Sequence, residues 1–252
     1  MAETVTFTPG GYRYLPFRFQ YSSGVAAEPG FAIERMTLRR PLPLAQGFAA
    51  VEAYLARAGR PATAFCACEL RSPAQFTEAG FIAFNEHYCQ TLARWGIYDP
   101  DTRINPVARS NVCPEIEPPS EPMLYAFSYT APVSGNESGT FVIAGSGEAP
   151  GGKGDYGAHI VRRGETSADA IADKARAVLG EMERRMGLLG FAWEATTAAH
   201  VYTVHDIHEF LGPEIVRRGA ARNGTTWFYA RPPVIELEFE MDTRSVLLER
   251  VF

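Results

Sequence analysis

Two arginines stand at similar places in two similar stretches of this 252-residue chain. Arg109 lies in the stretch NPVARSNV, and Arg231 lies in the stretch WFYARPPV. An amphipathic helix, an apolar strand and a polar turn ending on phenylalanine are predicted upstream of each arginine. A guanidinium fixed at the start of a strand can bind a small carboxylate through two parallel, charge-assisted hydrogen bonds. The repetition favours carboxylate binding over the commoner role of an arginine in a surface ion pair.

Two histidines and two cysteines have spacings that occur in metal sites. His205 and His208 bracket a turn, and Cys66 and Cys68 alternate along a predicted strand. A zinc site needs three or four such ligands, and no further ligand with suitable spacing follows either pair. We therefore predict no metal site and expect the four cysteines to be buried free thiols.

Acidic and glycine-rich segments of the second half offer weaker signals. Glu236, Glu238 and Glu240 alternate with apolar residues, which predicts three carboxylates on one face of a strand. Such a face could serve acid–base chemistry, although a solvated or assembly-lining face is commoner. The glycine-rich loop 150–157 lacks the phosphate-loop spacing, because Lys153 is followed by glycine. We interpret the loop as a connector or a cleft lid.

Composition limits the classes of partner. The chain is 46% hydrophobic with a net charge of −5, and it has no run of lysine or arginine. Nucleic-acid surfaces are basic, so RNA and DNA are not expected partners. No apolar run approaches the roughly 20 residues that span a bilayer, and no secretory leader is evident. A cytoplasmic protein without membrane association is expected.

The periodicity of apolar residues predicts the same order of elements twice. In the first half we predict strands over 12–23 and 31–38, a helix from Leu44 to Gly59, a strand over 64–70, a helix over 76–95 and a strand over 123–129. In the second half we predict strands over 139–145 and 156–162, a helix over 167–190, a strand over 196–204, a helix over 211–222 and strands over 234–241 and 245–252. The segment 131–137 is typical of a linker, which gives domains 1–132 and 138–252. The predicted class is α+β, with two tandem domains that each pack a mixed sheet on two helices.

These motifs resemble those of the Rid family, also called the YjgF family. The stretch VARSNV is similar to that family's Pro-Ala-Arg-Ser-x-Val motif, Tyr229-Ala230-Arg231 is similar to its Pro-Ala-Arg-Ser, and Leu248-Glu249 stands near its acidic position. The resemblance implies chorismate-mutase-like domains that form trimers with sites in the clefts between domains. It also implies hydrolysis of a reactive enamine or imine to a keto acid and ammonia without a cofactor. The arginine would hold the substrate carboxylate, and an acidic group or a backbone carbonyl would position water.

The sequence departs from the family pattern in both halves. Tyr229 stands where the family has proline, Pro232 and Pro233 follow Arg231, and the predicted last strand of the first half carries no glutamate. We therefore leave open which half is active.

The leading hypothesis is a homotrimeric deaminase of a small enamine carboxylate such as 2-aminoacrylate or 2-aminomuconate. A non-catalytic sensor of small carboxylates is the main alternative, and a chorismatase-like enzyme is a weaker one. The predicted catalytic residues are Arg109, Arg231 and Glu249. The predicted substrate-binding residues are Tyr14, Tyr21, Ser110, Tyr156 and Tyr229.

Overall fold

A computed structural model describes residues 4–134, 139–149 and 157–252. Its strands are β1 (Val5–Phe7), β2 (Tyr12–Leu15), β3 (Gly24–Ala27), β4 (Phe31–Pro43), β5 (Phe65–Arg71), β6 (Ala108–Pro114), β7 (Met123–Pro132), β8 (Phe141–Gly147), β9 (Ala198–Tyr202), β10 (Thr226–Phe228), β11 (Ala230–Arg231), β12 (Glu240–Ser245) and β13 (Leu248–Val251). Its α-helices are α1 (Leu44–Arg57), α2 (Glu78–Arg94), α3 (Ala168–Leu189) and the short α4 (His208–Phe210). None of the helices in these ranges is long and apolar enough to cross a membrane.

Two sheets contain the same four-strand pattern. The seven-stranded sheet has the order β1-β2-β3-β8-β12-β9-β10, and the six-stranded sheet has the order β11-β6-β5-β7-β4-β13. Within them, β4-β7-β5-β6 and β8-β12-β9-β10 have matching directions, since only the last pair of each is parallel. The helices α1 and α3 occupy the same position in the two patterns, between the first and second strands along the chain. The predicted α+β class with a repeated unit is confirmed.

Each sheet also takes strands from the other half of the chain. The N-terminal strands β1 to β3 extend the sheet of the second repeat, where Gly24 of β3 is paired with Ile143 of β8. The C-terminal strand β13 is parallel to β4 in the sheet of the first repeat, and β11 pairs with β6. Each sheet therefore contains strands from both of the ranges 1–132 and 138–252. These ranges stay a prediction for the limits of the two duplicated units.

Each repeat buries its own apolar core between its sheet and its helices. The helix α1 contributes Phe48 and Val51 to one core, and α3 contributes Val178 and Met182 to the other. The helix α3 ends as predicted at Gly190, whose φ of 88° favours glycine. All four cysteines are buried and free, which confirms that prediction.

Several predicted strands are wrong in whole or in part, and the predicted strand 12–23 is a strand only over Tyr12–Leu15. Within the predicted strand 156–162, residue 156 lies outside the described residues, and Gly157–His159 form a 3-10 turn instead. The predicted strand 234–241 begins only at Glu240. The preceding residues form a turn, in which the Leu237 amide donates to the Val234 carbonyl and Glu236 has a φ of 73°. Glu236, Glu238 and Glu240 therefore do not share one strand face.

The predicted helix 211–222 is also largely wrong. Residues Leu211–Val216 form a π-helical turn that continues α4, and the chain then runs through turns to β10. Pro213 lies inside this segment and has no amide hydrogen to donate, which disfavours a regular α-helix. Tertiary contacts of Ile215 with the second core hold the segment in place without a long helix.

Candidate active site

A cavity lies between the two repeats, where the start of α2, the strand β6 and the loop before β3 meet β8, β12 and α3. Its wall combines apolar side chains with three arginines and two glutamates, and one side is formed by the turn before β12. The lining residues are Phe17, Arg18, Gln20, Tyr21, Glu78, Phe81, Ile82, Arg109, Asn111, Gly145, Ser146, Gly147, Ala149, Arg185, Pro233, Val234, Leu237 and Glu240. A largely apolar wall with a few buried charged groups, drawn from both halves of the chain, is typical of a small-molecule site.

Arg109 lies in the wall of this cavity and is only 3% accessible to solvent. Its guanidinium carbon lies 5.1 Å from the ring centre of Tyr21, 5.4 Å from that of Phe81 and 4.9 Å from that of Tyr88. One terminal nitrogen donates to the side-chain oxygen of Asn85, and the Nε atom is buried without a hydrogen-bond partner. No ion pair to a carboxylate forms at Arg109 within the described residues, so its positive charge is available to an anionic ligand.

Glu240 opens β12 on the other side of the cavity and is 3% exposed. Burial, reinforced by the neighbouring Asp242 carboxylate, raises the pKa of Glu240 well above its usual value, against the opposing effect of Arg109. A Cβ atom at Gly145 would lie 2.1 Å from the Glu240 Oε1 atom, so β8 needs a glycine there to admit the carboxyl group. Burial therefore favours the protonated form of Glu240, which can donate a proton inside the cavity.

Arg185 approaches the same cavity from α3 and is 2% exposed. Its Nε donates to Glu181 at 2.7 Å, one terminal nitrogen donates to the Ala144 carbonyl at 3.1 Å, and the other donates to the Ser146 hydroxyl at 3.1 Å. Arg185 was not among the predicted site residues. The sequence did contain a signal for it, because Arg185 follows the core residue Met182 by three positions and so lies on the apolar face of the helix.

A buried polar network between the sheets supports the acid. Burial would raise the pKa of Asp242, but His200, whose ring nitrogen lies 3.2 Å from the Asp242 carboxylate, holds that pKa below its usual value. The Tyr202 hydroxyl donates to Asp242 at 2.8 Å, and the Ser110 hydroxyl donates to it at 2.6 Å. An ionised Asp242 next to Glu240 favours the protonated form of Glu240.

The predicted substrate-binding residues have different positions. Tyr21 lines the cavity, whereas Tyr14 is 5% exposed within an apolar core, and Tyr156 lies outside the described residues. Ser110 does not line the cavity, since its hydroxyl donates to Asp242 and accepts from the Gly145 amide at 3.1 Å. It connects β6 to the facing sheet directly behind Arg109.

The remaining predicted residues lie outside the cavity. On β11, Arg231 donates to Glu115 at 2.9 Å and to Glu238 at 3.2 Å, and the adjacent Tyr229 is 52% exposed. Glu249 lies on β13, where it accepts from Arg244 at 2.7 Å and forms an ion pair with Arg35 at 3.4 Å.

The structure therefore does not bring Arg231 and Glu249 to Arg109. The strand that corresponds to β6 is β10, so Arg231 on β11 is not the structural counterpart of Arg109. Groups of three or more side chains suited to a metal ion are also lacking among the described residues.

Several known proteins are similar to this chain. Residues 4–250 match the family of 2-aminomuconate deaminase CnbZ. The 2-amino-5-chloromuconate deaminase of Comamonas testosteroni is 50% identical over 252 residues, which covers 100% of both chains. A crystal structure of a chorismatase aligns with a TM-score of 0.58 at 12% identity, covering 89% of this chain and 77% of that chain, and so shares the fold. The YjgF gene product of E. coli aligns with 46% of this chain and 87% of its own, at 15% identity and a TM-score of 0.31.

Proposed function

The chain belongs to the 2-aminomuconate deaminase CnbZ family, and from this premise we propose that it hydrolyses a 2-aminomuconate-like enamine to a 2-oxo acid and ammonia. One observation carries the proposal: Arg109, which is buried and has no acidic partner among the described residues, shares a cavity with the buried Glu240, whose pKa is raised by burial. The first can hold a carboxylate, and the second can supply the proton that an enamine needs. Membership in a deaminase family favours an enzyme over a sensor.

The reaction begins with the substrate carboxylate beside the amino-bearing carbon, C2, bound to Arg109. Glu240 then donates its proton to C3, and the electron pair of the C2–C3 double bond forms the new C–H bond. The nitrogen lone pair forms a C2–N double bond, so that an iminium ion results. This ion is stabilised by the Glu240 carboxylate left behind, because opposite charges attract strongly in a buried site.

Hydrolysis returns the site to its starting state. Water adds to C2 while the Glu240 carboxylate accepts one of its protons, which gives a carbinolamine. Glu240 then protonates the nitrogen, ammonia leaves with the C–N bonding electrons, and the remaining hydroxyl proton returns to Glu240. The sum is enamine plus water to 2-oxo acid plus ammonia. Each step is a proton transfer, the addition of water or the elimination of ammonia, and a single carboxyl group can serve all of them as acid and base.

A product analysis tests this proposal. The wild-type protein is mixed with 2-aminomuconate generated enzymatically in the cuvette, and ammonia and 2-oxo acid are measured together. We expect both products in a one-to-one ratio at a rate far above spontaneous hydrolysis, with oxygen from ¹⁸O-labelled water at C2 in early samples. An unaccelerated reaction with both 2-aminomuconate and 2-aminoacrylate, combined with tight binding of muconate, would favour the sensor alternative. Formation of product from chorismate would favour the chorismatase-like alternative.

A further inference from the structure

We infer that Arg185 is a second carboxylate anchor of the cavity and that it selects substrates with a carboxylate at each end of the carbon chain. The inference rests on the proposed function, since it assigns a residue to the far end of the same substrate. It is carried by the position of Arg185 in the cavity wall and by its hydrogen bonds.

The guanidinium of Arg185 is held in place but is not saturated. An arginine has five N–H donors, and three of them are used by Glu181, Ala144 and Ser146. One donor therefore remains on each terminal nitrogen, and each of them can donate to a ligand carboxylate. Because the three protein contacts fix the plane of the group, little side-chain entropy is lost on binding.

The two arginines reach the cavity from different repeats. Arg109 projects from β6 and is backed by α2, whereas Arg185 projects from α3 over β8. Much of the remaining wall is apolar and includes Phe81, Val234 and Leu237. Arg109 and Arg185 are buried, whereas the third arginine of the wall, Arg18, is only half-buried. Two buried cationic positions in a largely apolar wall match a ligand with an unsaturated carbon chain and two terminal carboxylates. A monocarboxylate would leave the donors of one arginine unpaired in a buried site, which is costly.

The net charge around the cavity supports a dianionic ligand. Arg109 has no ion-paired carboxylate among the described residues, and burial raises the pKa of Glu240 and so favours its neutral form. Arg185 is paired with Glu181, but that carboxylate also serves Arg184, whose Nε donates to it at 2.7 Å. One glutamate thus offsets two arginines on this helix, and a ligand carboxylate would complete the neutralisation.

Two stable ligands that differ by one carboxylate test the inference. Trans,trans-muconate and sorbate have the same six-carbon diene, and only muconate is charged at both ends. We expect the wild-type protein to bind muconate at least about 30-fold more tightly than sorbate by calorimetry, because a second buried charge pair forms. Equal affinities in the wild type would overturn the inference without any variant.

Variants then assign the effect to Arg185. We expect Arg185→Gln and Arg185→Lys to lower muconate affinity about 30-fold and 5-fold, and to change sorbate affinity less than about threefold. Arg176→Gln is the matched control, since Arg176 lies on the same helix, is 48% exposed and is paired with Asp173 and Glu214 instead of Glu181. It should leave both affinities unchanged. The assignment would be contradicted if the Arg185 variants lost affinity equally for muconate and sorbate and so kept the wild-type preference for muconate.

Turnover separates this inference from the proposed function. If the wild-type protein prefers muconate but does not accelerate ammonia release, the proposed function fails while the dicarboxylate site remains. If it deaminates 2-aminomuconate and the Arg185 variants lose kcat/KM equally for 2-aminomuconate and 2-aminoacrylate, the anchor assignment fails and the deaminase proposal remains.

Discussion

Replacement of Arg109 by alanine is the most direct test of the proposed chemistry. The side chain is 3% exposed and surrounded by aromatic rings, so water cannot easily replace it beside a bound carboxylate. Removing one partner of a buried charge pair costs about 2–4 kcal/mol, which corresponds to a loss of roughly 30- to 1,000-fold in kcat/KM. The lysine variant keeps the charge but loses the fork, and we expect a smaller loss of about 5- to 30-fold.

The assay is continuous ammonia release from 2-aminomuconate, with thermal unfolding recorded for each variant. Arg231→Ala is the matched control, because Arg231 belongs to the same repeated motif but is 32% exposed and ion-paired outside the cavity. Its loss should change kcat/KM less than about threefold, as expected of a partly exposed ion pair. The carboxylate-holding role of Arg109 is refuted if a folded Arg109→Ala protein retains kcat/KM within about threefold of the wild type.

Further expectations concern the acid, the fold, the thiols and the assembly. Activity should fall as pH rises through the raised pKa of Glu240, because the proton-donating form is lost there. Burial and the carboxylates of Asp242 and Glu148 raise this pKa, and Arg109 and Arg185 oppose them. Glu240→Gln should lower kcat about 10²- to 10⁴-fold and remove this alkaline limb from the pH–rate profile. Lys174→Met should lower the free energy of unfolding in denaturant titrations by about 3–5 kcal/mol, because it leaves the fully buried Glu148 without its partner. The four cysteines should not react with a disulfide reagent in the native protein at pH 8, since burial raises each thiol pKa, and all four should react in denaturant. Light scattering should give the mass of a trimer and not that of the 27.7-kDa chain.

Local sequence signals predicted the elements that depend on local periodicity. The helix α1 and the strand β5 lie within a few residues of the predicted limits, because apolar spacing and the glycine and proline after α1 are sufficient to define them. The segment 234–241 has equally clear alternation but is not a strand over its first half. Gln75 accounts for the difference, since its side-chain amide donates to the carbonyls of Pro232, Val234 and Leu237 and so holds the turn. A contact between residues more than 150 positions apart in the sequence cannot be predicted from a local pattern.

The same distinction applies to the site. Arg109 was found because its motif is repeated in the sequence, and Tyr21 because aromatic residues cluster before β3. Glu240 could not be distinguished from Glu236 and Glu238, because all three have the same spacing in the sequence. In the structure, the carboxyl group of Glu240 occupies the space beside Gly145 of β8 that a side chain there would fill. The equivalence of Arg109 and Arg231 followed from the motif alone, and the strand order places them differently.

The strand order also explains how a duplicated chain forms a composite site. Arg109 comes from β6 of the first repeat, whereas Glu240 and Arg185 come from β12 and α3 of the second. The strand β10, which takes the place of β6 in the second repeat, has the sequence Thr-Trp-Phe and so offers no arginine at the corresponding position. Within the described residues, the two repeats therefore contribute different groups to one cavity, and the arginine of the second motif instead forms ion pairs on β11. In the proposed mechanism one repeat supplies the carboxylate-holding strand and the other supplies the acid, whereas two identical domains would supply each group twice.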